Sequence, residues 1–108
     1  MFGFSLGPKN TTVTEVHERL GTDGHVLLDV RTKEEVREIS VPGALNIPLD
    51  RLEAQASQLA GYTSIDVMCR SGGRSAMAAN TLHGLGLTHA MNVSGGIIAW
   101  QNAGLPTK

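Results

Sequence analysis

Short apolar runs alternate with amphipathic segments along the chain. Residues 26–28 are uniformly apolar and lead into Asp29, and the mostly apolar residues 65–68 lead into Cys69. Runs of this kind are typical of parallel strands that are buried on both faces of a sheet. Two further runs predict shorter strands at 44–47 and 90–93.

The segments between these runs carry helix signals. Thr12 with Glu15, and Thr32 with Glu35, have the spacing of a capping box, in which the two side chains satisfy backbone N–H groups at a helix start. The sequence thus predicts a helix that Gly21 ends, one at 33–38, one capped by Asp50 and Glu53 and ending at Gly61, one with Ala76, Ala79, Leu82 and Leu85 on its apolar face, and one at 97–102.

This alternation predicts an α/β fold with a mainly parallel central sheet and helices on both faces. With 108 residues, the chain can form one domain around one aliphatic core. We assign residues 12–108 to that domain and residues 1–11 to an N-terminal segment. The alternating Phe2, Phe4 and Leu6 make this segment either an edge strand or a flexible end.

Composition removes several classes of function. The net charge is −1, and no cluster of basic residues lies outside the cysteine loop, so we expect neither nucleic acid nor a membrane as a partner. The start lacks the pattern of a secretory signal, and a free thiol suits the cytoplasm, which is the predicted location. One cysteine excludes an internal disulfide, and the four histidines lack metal-ligand spacing, so no metal site is predicted. No motif bears on the oligomeric state.

The single cysteine begins the segment Cys-Arg-Ser-Gly-Gly-Arg-Ser, at residues 69–75. Glycines allow consecutive backbone N–H groups to turn inward, the following helix adds its positive N-terminal dipole, and two arginines add full charges. Such surroundings stabilise a thiolate and should lower the pKa of Cys69 from roughly 8.5 toward or below neutrality, which would keep the sulfur ionised. Because parallel sheets bind ligands beyond the carboxyl ends of their strands, both Asp29 and Cys69 fall where a site is expected.

Four motifs carry a resemblance to a known family. They are Asp29-Val30-Arg31, the segment Val41-Pro42-Gly43-Ala44-Leu45-Asn46-Ile47-Pro48, the cysteine loop, and Gly95-Gly96 with Trp100 and Gly104-Leu105-Pro106. In this order and spacing, from about Thr12 to Pro106, the chain resembles a single-domain rhodanese. The resemblance implies a rhodanese-like three-layer fold and sulfurtransferase activity.

In that activity, as the resemblance implies it, Cys69 takes a sulfane sulfur from a donor such as thiosulfate or a persulfide. The resulting cysteine persulfide passes its outer sulfur to a thiol or to cyanide. The implied partners are a small anionic donor and a thiol acceptor, which is either a small molecule or a protein. No cofactor is implied beyond the covalent persulfide.

The other loop residues have alternative roles. Gly72 and Gly73 either supply inward-facing amides or simply form a strand-to-helix turn. Arg70 and Arg74 orient the anionic donor, or Arg74 instead pairs internally with a carboxylate such as Asp29.

Two loop hydroxyls are further candidates for binding the donor. Ser71 and Ser75 can donate hydrogen bonds to sulfur or sulfonate, although Ser75 can instead cap the following helix.

The remaining motifs are expected to support the site. Asp29 and Arg31 resemble the family's acid and base pair that braces the site from behind. Arg31 can alternatively bind the donor or pair with a glutamate on the next turn, at position 34, 35 or 38. Trp100 belongs either to the core or to the mouth of the site. Ile39-Ser40 stand where the family usually has Gly-His, which leaves open how the turn at 39–43 is held.

Loop length separates two reaction classes. Four residues lie between Cys69 and Arg74, whereas relatives that hydrolyse phosphate esters carry five. The smaller loop fits one sulfur atom better than a tetrahedral phosphate, so sulfur transfer is favoured over phosphatase or arsenate reductase chemistry. A further alternative is a binding or regulatory module without turnover, but the retained cysteine and its basic loop favour an enzyme.

Overall fold

The computed structural model describes residues 7–108, which form a five-stranded sheet between two layers of helices. The strands are β1 (Asn10–Thr11), β2 (His25–Asp29), β3 (Leu45–Asn46), β4 (Ser64–Met68) and β5 (Ala90–Val93). Their order across the sheet is β1-β5-β4-β2-β3, and every neighbouring pair is parallel. The predicted α/β class with a parallel sheet is confirmed.

Within residues 7–108, four α-helices connect the strands and a fifth follows β5. They are α1 (Val13–Arg19), α2 (Lys33–Glu38), α3 (Leu52–Gln55), α4 (Gly73–Gly84) and α5 (Gly96–Asn102). Both predicted capping boxes are present, at the starts of α1 and α2. The predicted cap at Asp50 is wrong, because Asp50 lies inside a 3-10 segment, Leu49–Arg51, that begins directly after Pro48. A second 3-10 segment, Ala56–Leu59, follows α3, so this connection is a chain of short turns.

Alternate residues of the strands face different helices. In β2, Val26 and Leu28 pack into the core beneath α3 and α4, whereas Leu27 packs with α1 and α5 on the other face. The two-residue period of a strand produces this division. Apolar side chains on both faces explain why the predicted strand runs are nearly uninterrupted.

The buried face of α4 differs from the predicted one. Ala78, Ala79 and Leu82 are buried, whereas Ala76 and Leu85 are exposed. The prediction is confirmed for Ala79 and Leu82 and wrong for Ala76 and Leu85, because the buried stripe is Ser75, Ala78, Ala79 and Leu82, and Leu85 lies just past the end of the helix.

The sheet edge next to β5 is formed by β1. Backbone hydrogen bonds from Asn92 N to Lys9 O and from Ser94 N to Thr11 O hold it there, both at 2.9 Å. The predicted alternation at Phe2, Phe4 and Leu6 lies outside the described residues.

A charge cluster fastens α1 to the sheet. The Asp66 carboxylate of β4 is fully buried and accepts hydrogen bonds from Arg19 at 3.0 and 3.1 Å. His25 Nε2 lies 2.7 Å from the same carboxylate. No group of three or more potential metal ligands occurs within residues 7–108, and no helix there is long and apolar enough to cross a membrane.

Candidate active site

The loop that contains Cys69 lies at the carboxyl edge of the sheet. Cys69 directly follows β4, the central strand, and α4 begins at Gly73. From the neighbouring β5 side, the first turn of α5 supports this loop: Ile97 N donates to Cys69 O at 2.9 Å and Ile98 N donates to Arg70 O at 3.2 Å. The loop is therefore held at its two ends by β4 and α4, and at Cys69 and Arg70 by backbone hydrogen bonds from α5.

The Cys69 sulfur accepts several hydrogen bonds from its own loop. Gly72 N lies 3.1 Å from Sγ and the Ser75 hydroxyl lies 3.3 Å from it. Burial raises the pKa of the Cys69 thiol, but hydrogen bonds from the Ser75 hydroxyl and from the backbone N–H groups of Ser75, Gly72 and Ser71 outweigh burial, so the pKa lies below its ordinary value. The pKa of Cys69 is lowered, as the sequence predicted, and hydrogen bonds from the loop are the main cause of the lowering.

The conformation of Gly72 produces this arrangement. Its φ of +116° lies in the left-handed region, which residues with a Cβ rarely adopt, and it directs the Gly72 N–H toward the sulfur. Gly73 has no such requirement, because its φ is ordinary and the space around it is open. The two glycines of the loop therefore have different roles.

Ser75 is fully buried and its hydroxyl has three neighbours. Besides Cys69 Sγ, the hydroxyl oxygen lies 3.2 Å from Gly72 O and 2.6 Å from Asn92 Oδ1. A hydroxyl carries one proton, so it donates to one of these acceptors at a time. Sequence reasoning missed Asn92; the signal for it was a polar residue inside the apolar run at 90–93.

Arg74 forms an internal ion pair, and its partner is Glu35. Two hydrogen bonds join the guanidinium to the carboxylate, at 2.7 and 2.9 Å. These bonds lower the pKa of Glu35 to about 2 and raise the pKa of Arg74. The alternative that Arg74 pairs internally with a carboxylate is confirmed, but the partner is Glu35 and not Asp29. Because Glu35 also caps α2, the pair connects α2 to α4.

Arg70 is exposed and has no ion-pair partner among residues 7–108. Its side chain borders a shallow cavity of about 150 Å³ between α2 and α5. The cavity is lined by Arg31, Glu35, Glu38, Ile39, Arg70, Ile97, Ile98 and Gln101. Arg70 is thus the cation of the loop that is available to an incoming anion. Ser71 is exposed beside it.

Asp29 and Arg31 form a buried ion pair behind the loop. Arg31 Nη2 lies 2.7 Å from Asp29 Oδ2, and both side chains are only 2% exposed. The same Nη2 donates to Ile39 O at 2.8 Å, so Arg31 pairs neither with a glutamate side chain of α2 nor with solvent. Sequence reasoning also missed Asn46, whose amide donates to the carbonyl oxygens of Asp29 and Arg31 at 2.9 and 3.0 Å.

The turn at 39–43 is held by backbone hydrogen bonds to the last residue of the chain. Ser40 N donates to Lys108 O, and Lys108 N donates to Ser40 O, both at 2.9 Å. These bonds, with the Arg31 contact to Ile39, show how the turn is fixed with Ile39-Ser40 in this position. Trp100 is fully buried, and its Nε1 donates to Pro106 O at 2.8 Å, so it belongs to the core.

Comparisons with known proteins agree with this fold. A family model described as Rhodanese-like domain matches residues 12–103, and the chain belongs to that family. It is 38% identical over 113 residues to thiosulfate sulfurtransferase 16, chloroplastic, of Arabidopsis thaliana, covering 94% of this chain and 93% of the relative. It is 35% identical over 85 residues to a sulfurtransferase of Allochromatium vinosum, covering 79% of each. The crystal structure of a rhodanese-related protein from Thermoplasma volcanium superposes with a TM-score of 0.82 at 29% identity, covering 93% of this chain and 97% of the other.

We expect Gly96→Ala to disrupt the loop. Gly96 has a φ of +56°, and a Cβ there would press against the carbonyl oxygens of Cys69 and Arg70. Strain and overlap should lower the free energy of unfolding by about 2 kcal/mol or more, as chemical denaturation would measure. Gly73→Ala is the control and should change stability by less than about 1 kcal/mol, since space there is open. Equal stability of the two variants would contradict the argument.

We expect Glu35→Gln to reduce the dependence of the free energy of unfolding on pH in the acid range. The folded-state pKa of Glu35 is about 2, against an ordinary value of 4.5, so its carboxylate stabilises the fold above pH 4.5. This stabilisation is lost as the pH falls from 4.5 toward 2. The neutral amide introduced by Glu35→Gln does not titrate, so the variant lacks this pH-dependent contribution. Chemical denaturation across this range should show the difference. Glu34→Gln is the control, because Glu34 pairs only with exposed Arg37, and it should keep the wild-type acid limb.

Proposed function

We propose that this protein is a sulfurtransferase whose nucleophile is Cys69. The observation that carries the proposal is the buried sulfur surrounded by hydrogen-bond donors, at 3.1 Å from Gly72 N and 3.3 Å from the Ser75 hydroxyl. Such a site favours an anionic sulfur over a neutral thiol. The names of the relatives, thiosulfate sulfurtransferase and sulfurtransferase, support the same class of reaction.

The first half-reaction loads the cysteine. The Cys69 thiolate attacks the sulfane sulfur of a donor such as thiosulfate, a new S–S bond forms, and the donor's S–S bond breaks. Sulfite leaves with the electron pair of the broken bond, and Cys69 becomes a persulfide. We assign no general base, because the loop hydrogen bonds lower the pKa of the Cys69 thiol and sulfite is a stable leaving anion.

The second half-reaction regenerates the Cys69 thiolate. The nucleophilic sulfur of a thiolate, or the carbon of cyanide, attacks the outer sulfur of the persulfide. The Cys69 thiolate then leaves with its electron pair, and the acceptor departs as a persulfide or as thiocyanate. The same inward-facing N–H groups can hold the outer sulfur as an anion between the two steps.

The loop arginines have different tasks in this proposal. Arg70 is exposed and unpaired within the described residues, so it attracts the sulfonate group of the donor. Arg74 is committed to Glu35 and keeps the loop in shape. Asp29 and Arg31 brace the neighbouring strand end. We assign a thiol, small or carried by a protein, as the natural acceptor, with no cofactor, and the cytoplasm as the location.

Two other functions are less well supported. Phosphate ester or arsenate chemistry requires a cradle for a tetrahedral anion, whereas this loop has four residues between Cys69 and Arg74, and Arg74 is held by Glu35. A binding module without turnover would have no use for a thiol whose pKa is lowered by its loop.

We expect thiosulfate to load one sulfur atom onto Cys69. Intact-protein mass spectrometry should show the gain in wild type and no gain in Cys69→Ser, which keeps the shape but lacks the nucleophile. Folded wild-type protein that never gains the mass would favour the binding module. Steady-state assays with thiosulfate, glutathione persulfide and a phosphate monoester complete the test, and turnover of the monoester alone would support the phosphatase alternative.

We expect Arg70→Ala to impair the use of anionic donors without affecting folding. Loss of a charge-assisted contact should raise the KM for thiosulfate roughly tenfold. Arg37→Ala removes the same charge from the exposed face of α2 and should leave the KM unchanged. Thermal unfolding of both variants should match wild type. Unaltered kinetics of Arg70→Ala would remove this role.

A further inference from the structure

The Ser75 hydroxyl belongs to a chain of hydrogen bonds that runs from the sulfur to the edge of the sheet. Ser75 Oγ lies 3.3 Å from Cys69 Sγ and 2.6 Å from Asn92 Oδ1, and Asn92 Nδ2 lies 3.0 Å from Asn10 Oδ1. Asn92 and Asn10 are directly opposite each other on the paired strands β5 and β1. Ser75 and Asn92 are buried, whereas Asn10 is exposed.

One set of proton positions along this chain of hydrogen bonds accommodates a neutral thiol. When Cys69 is a neutral thiol, its proton can turn to Ser75 Oγ, 3.3 Å from the sulfur, so that the Ser75 hydroxyl donates to Asn92 Oδ1 and the Asn92 amide donates to Asn10 Oδ1. Ser75 and Asn92 then each have both a donor and an acceptor contact. Every hydrogen bond along the chain points away from the sulfur.

Ionisation of Cys69 reverses the requirement. A thiolate can only accept, so the Ser75 proton must turn toward Sγ. The Ser75 oxygen then presents lone pairs to the Asn92 oxygen at 2.6 Å, which is repulsive. The contact becomes favourable when the Asn92 side-chain amide rotates by half a turn and presents Nδ2, because the amide oxygen and nitrogen have nearly the same shape. Asn10, which is exposed, can rotate in the same way and donate to Asn92 Oδ1.

We propose that Asn92 is a positioning residue that donates its amide N–H to the Ser75 hydroxyl oxygen when Cys69 is ionised, so that the Ser75 proton is directed at the sulfur. The thiol proton goes to solvent when Cys69 ionises. The other protons of the hydrogen-bonded groups stay on their own atoms and change only in orientation. Successive donors in one direction reinforce each other in a buried setting. The inference deepens the proposed nucleophilic role of Cys69 and extends the site to β5 and β1.

Charged groups also lie around the cysteine loop, and among them Arg74 interacts electrostatically with Cys69. They are Arg70 and Arg74 of the loop and α4, Glu35 of α2, and the pair of Asp29 and Arg31 at the end of β2. The strand β5 and the helix α5 contribute no charged side chain. On that side, therefore, the orientation of amide and hydroxyl dipoles is what distinguishes a thiol from a thiolate.

The test measures the rate of Cys69 alkylation by iodoacetamide against pH, since the thiolate is the reactive form. We expect Asn92→Leu, which keeps the size but neither donates nor accepts, to move the midpoint of this profile to higher pH. At the wild-type midpoint, alkylation should be roughly threefold to tenfold slower. A midpoint that moves to lower pH, or stays in place in folded protein, would overturn the proposal.

A double mutant separates this role from general packing. Ser75→Ala should move the midpoint to higher pH by itself, and adding Asn92→Leu to it should produce no further change, because Asn92 acts through the hydroxyl. A full additional effect of Asn92→Leu would show that it acts in another way.

A surface variant provides a second test if Asn92→Leu folds poorly. Asn10→Asp leaves the core intact, and its carboxylate only accepts, which holds Asn92 Nδ2 away from Ser75 and should also move the midpoint to higher pH. Asn80→Asp, on the exposed face of α4, introduces the same charge and should leave the midpoint unchanged. Equal effects of these two variants would contradict the proposed role of Asn92. The readout does not require sulfur transfer, so failure of thiosulfate to load Cys69 would overturn the proposed function and leave this result standing.

Discussion

The left-handed turn at Gly72 is the constraint on which the site depends. It is the point where the chain leaves the central strand and enters α4 with a backbone N–H directed at the Cys69 sulfur, 3.1 Å away. Without that turn, the same residues would form an ordinary connection between a strand and a helix. The hydrogen bonds to the sulfur then offset the effect of burial, which alone would favour the neutral thiol.

The surrounding structure serves mainly to hold this turn in place. The first turn of α5 donates backbone hydrogen bonds to the carbonyl oxygens of Cys69 and Arg70, and the absence of a side chain at Gly96 allows this close approach. Glu35 holds Arg74 from α2, and Arg31 is fixed by Asp29 and by the Ile39 carbonyl. A rigid cradle stabilises an anion without reorganising at the moment of reaction, which is how a preorganised site accelerates a reaction.

The two arginines of the loop differ in whether their charge is paired within the described residues. Arg74 is bound to a carboxylate on another helix, whereas Arg70 is free among the described residues to meet an anion from solution. Their side chains are identical in chemistry and only four positions apart. Their difference arises from the direction in which each leaves the loop, one across α4 toward α2 and the other outward beside α5.

The sequence by itself determined the α/β class, the strands β2 to β5, both capping boxes and the place of the cysteine between a strand and a helix, because these depend on periodicity and on contacts a few residues apart. Only the tertiary structure decided that Arg74 pairs with Glu35, that Asn92 reaches Ser75, and that α4 buries Ala78 in place of Ala76. Each of these contacts joins residues distant in sequence or depends on the exact rotation of a helix. Small differences in packing set such features, and no local pattern of residues encodes them.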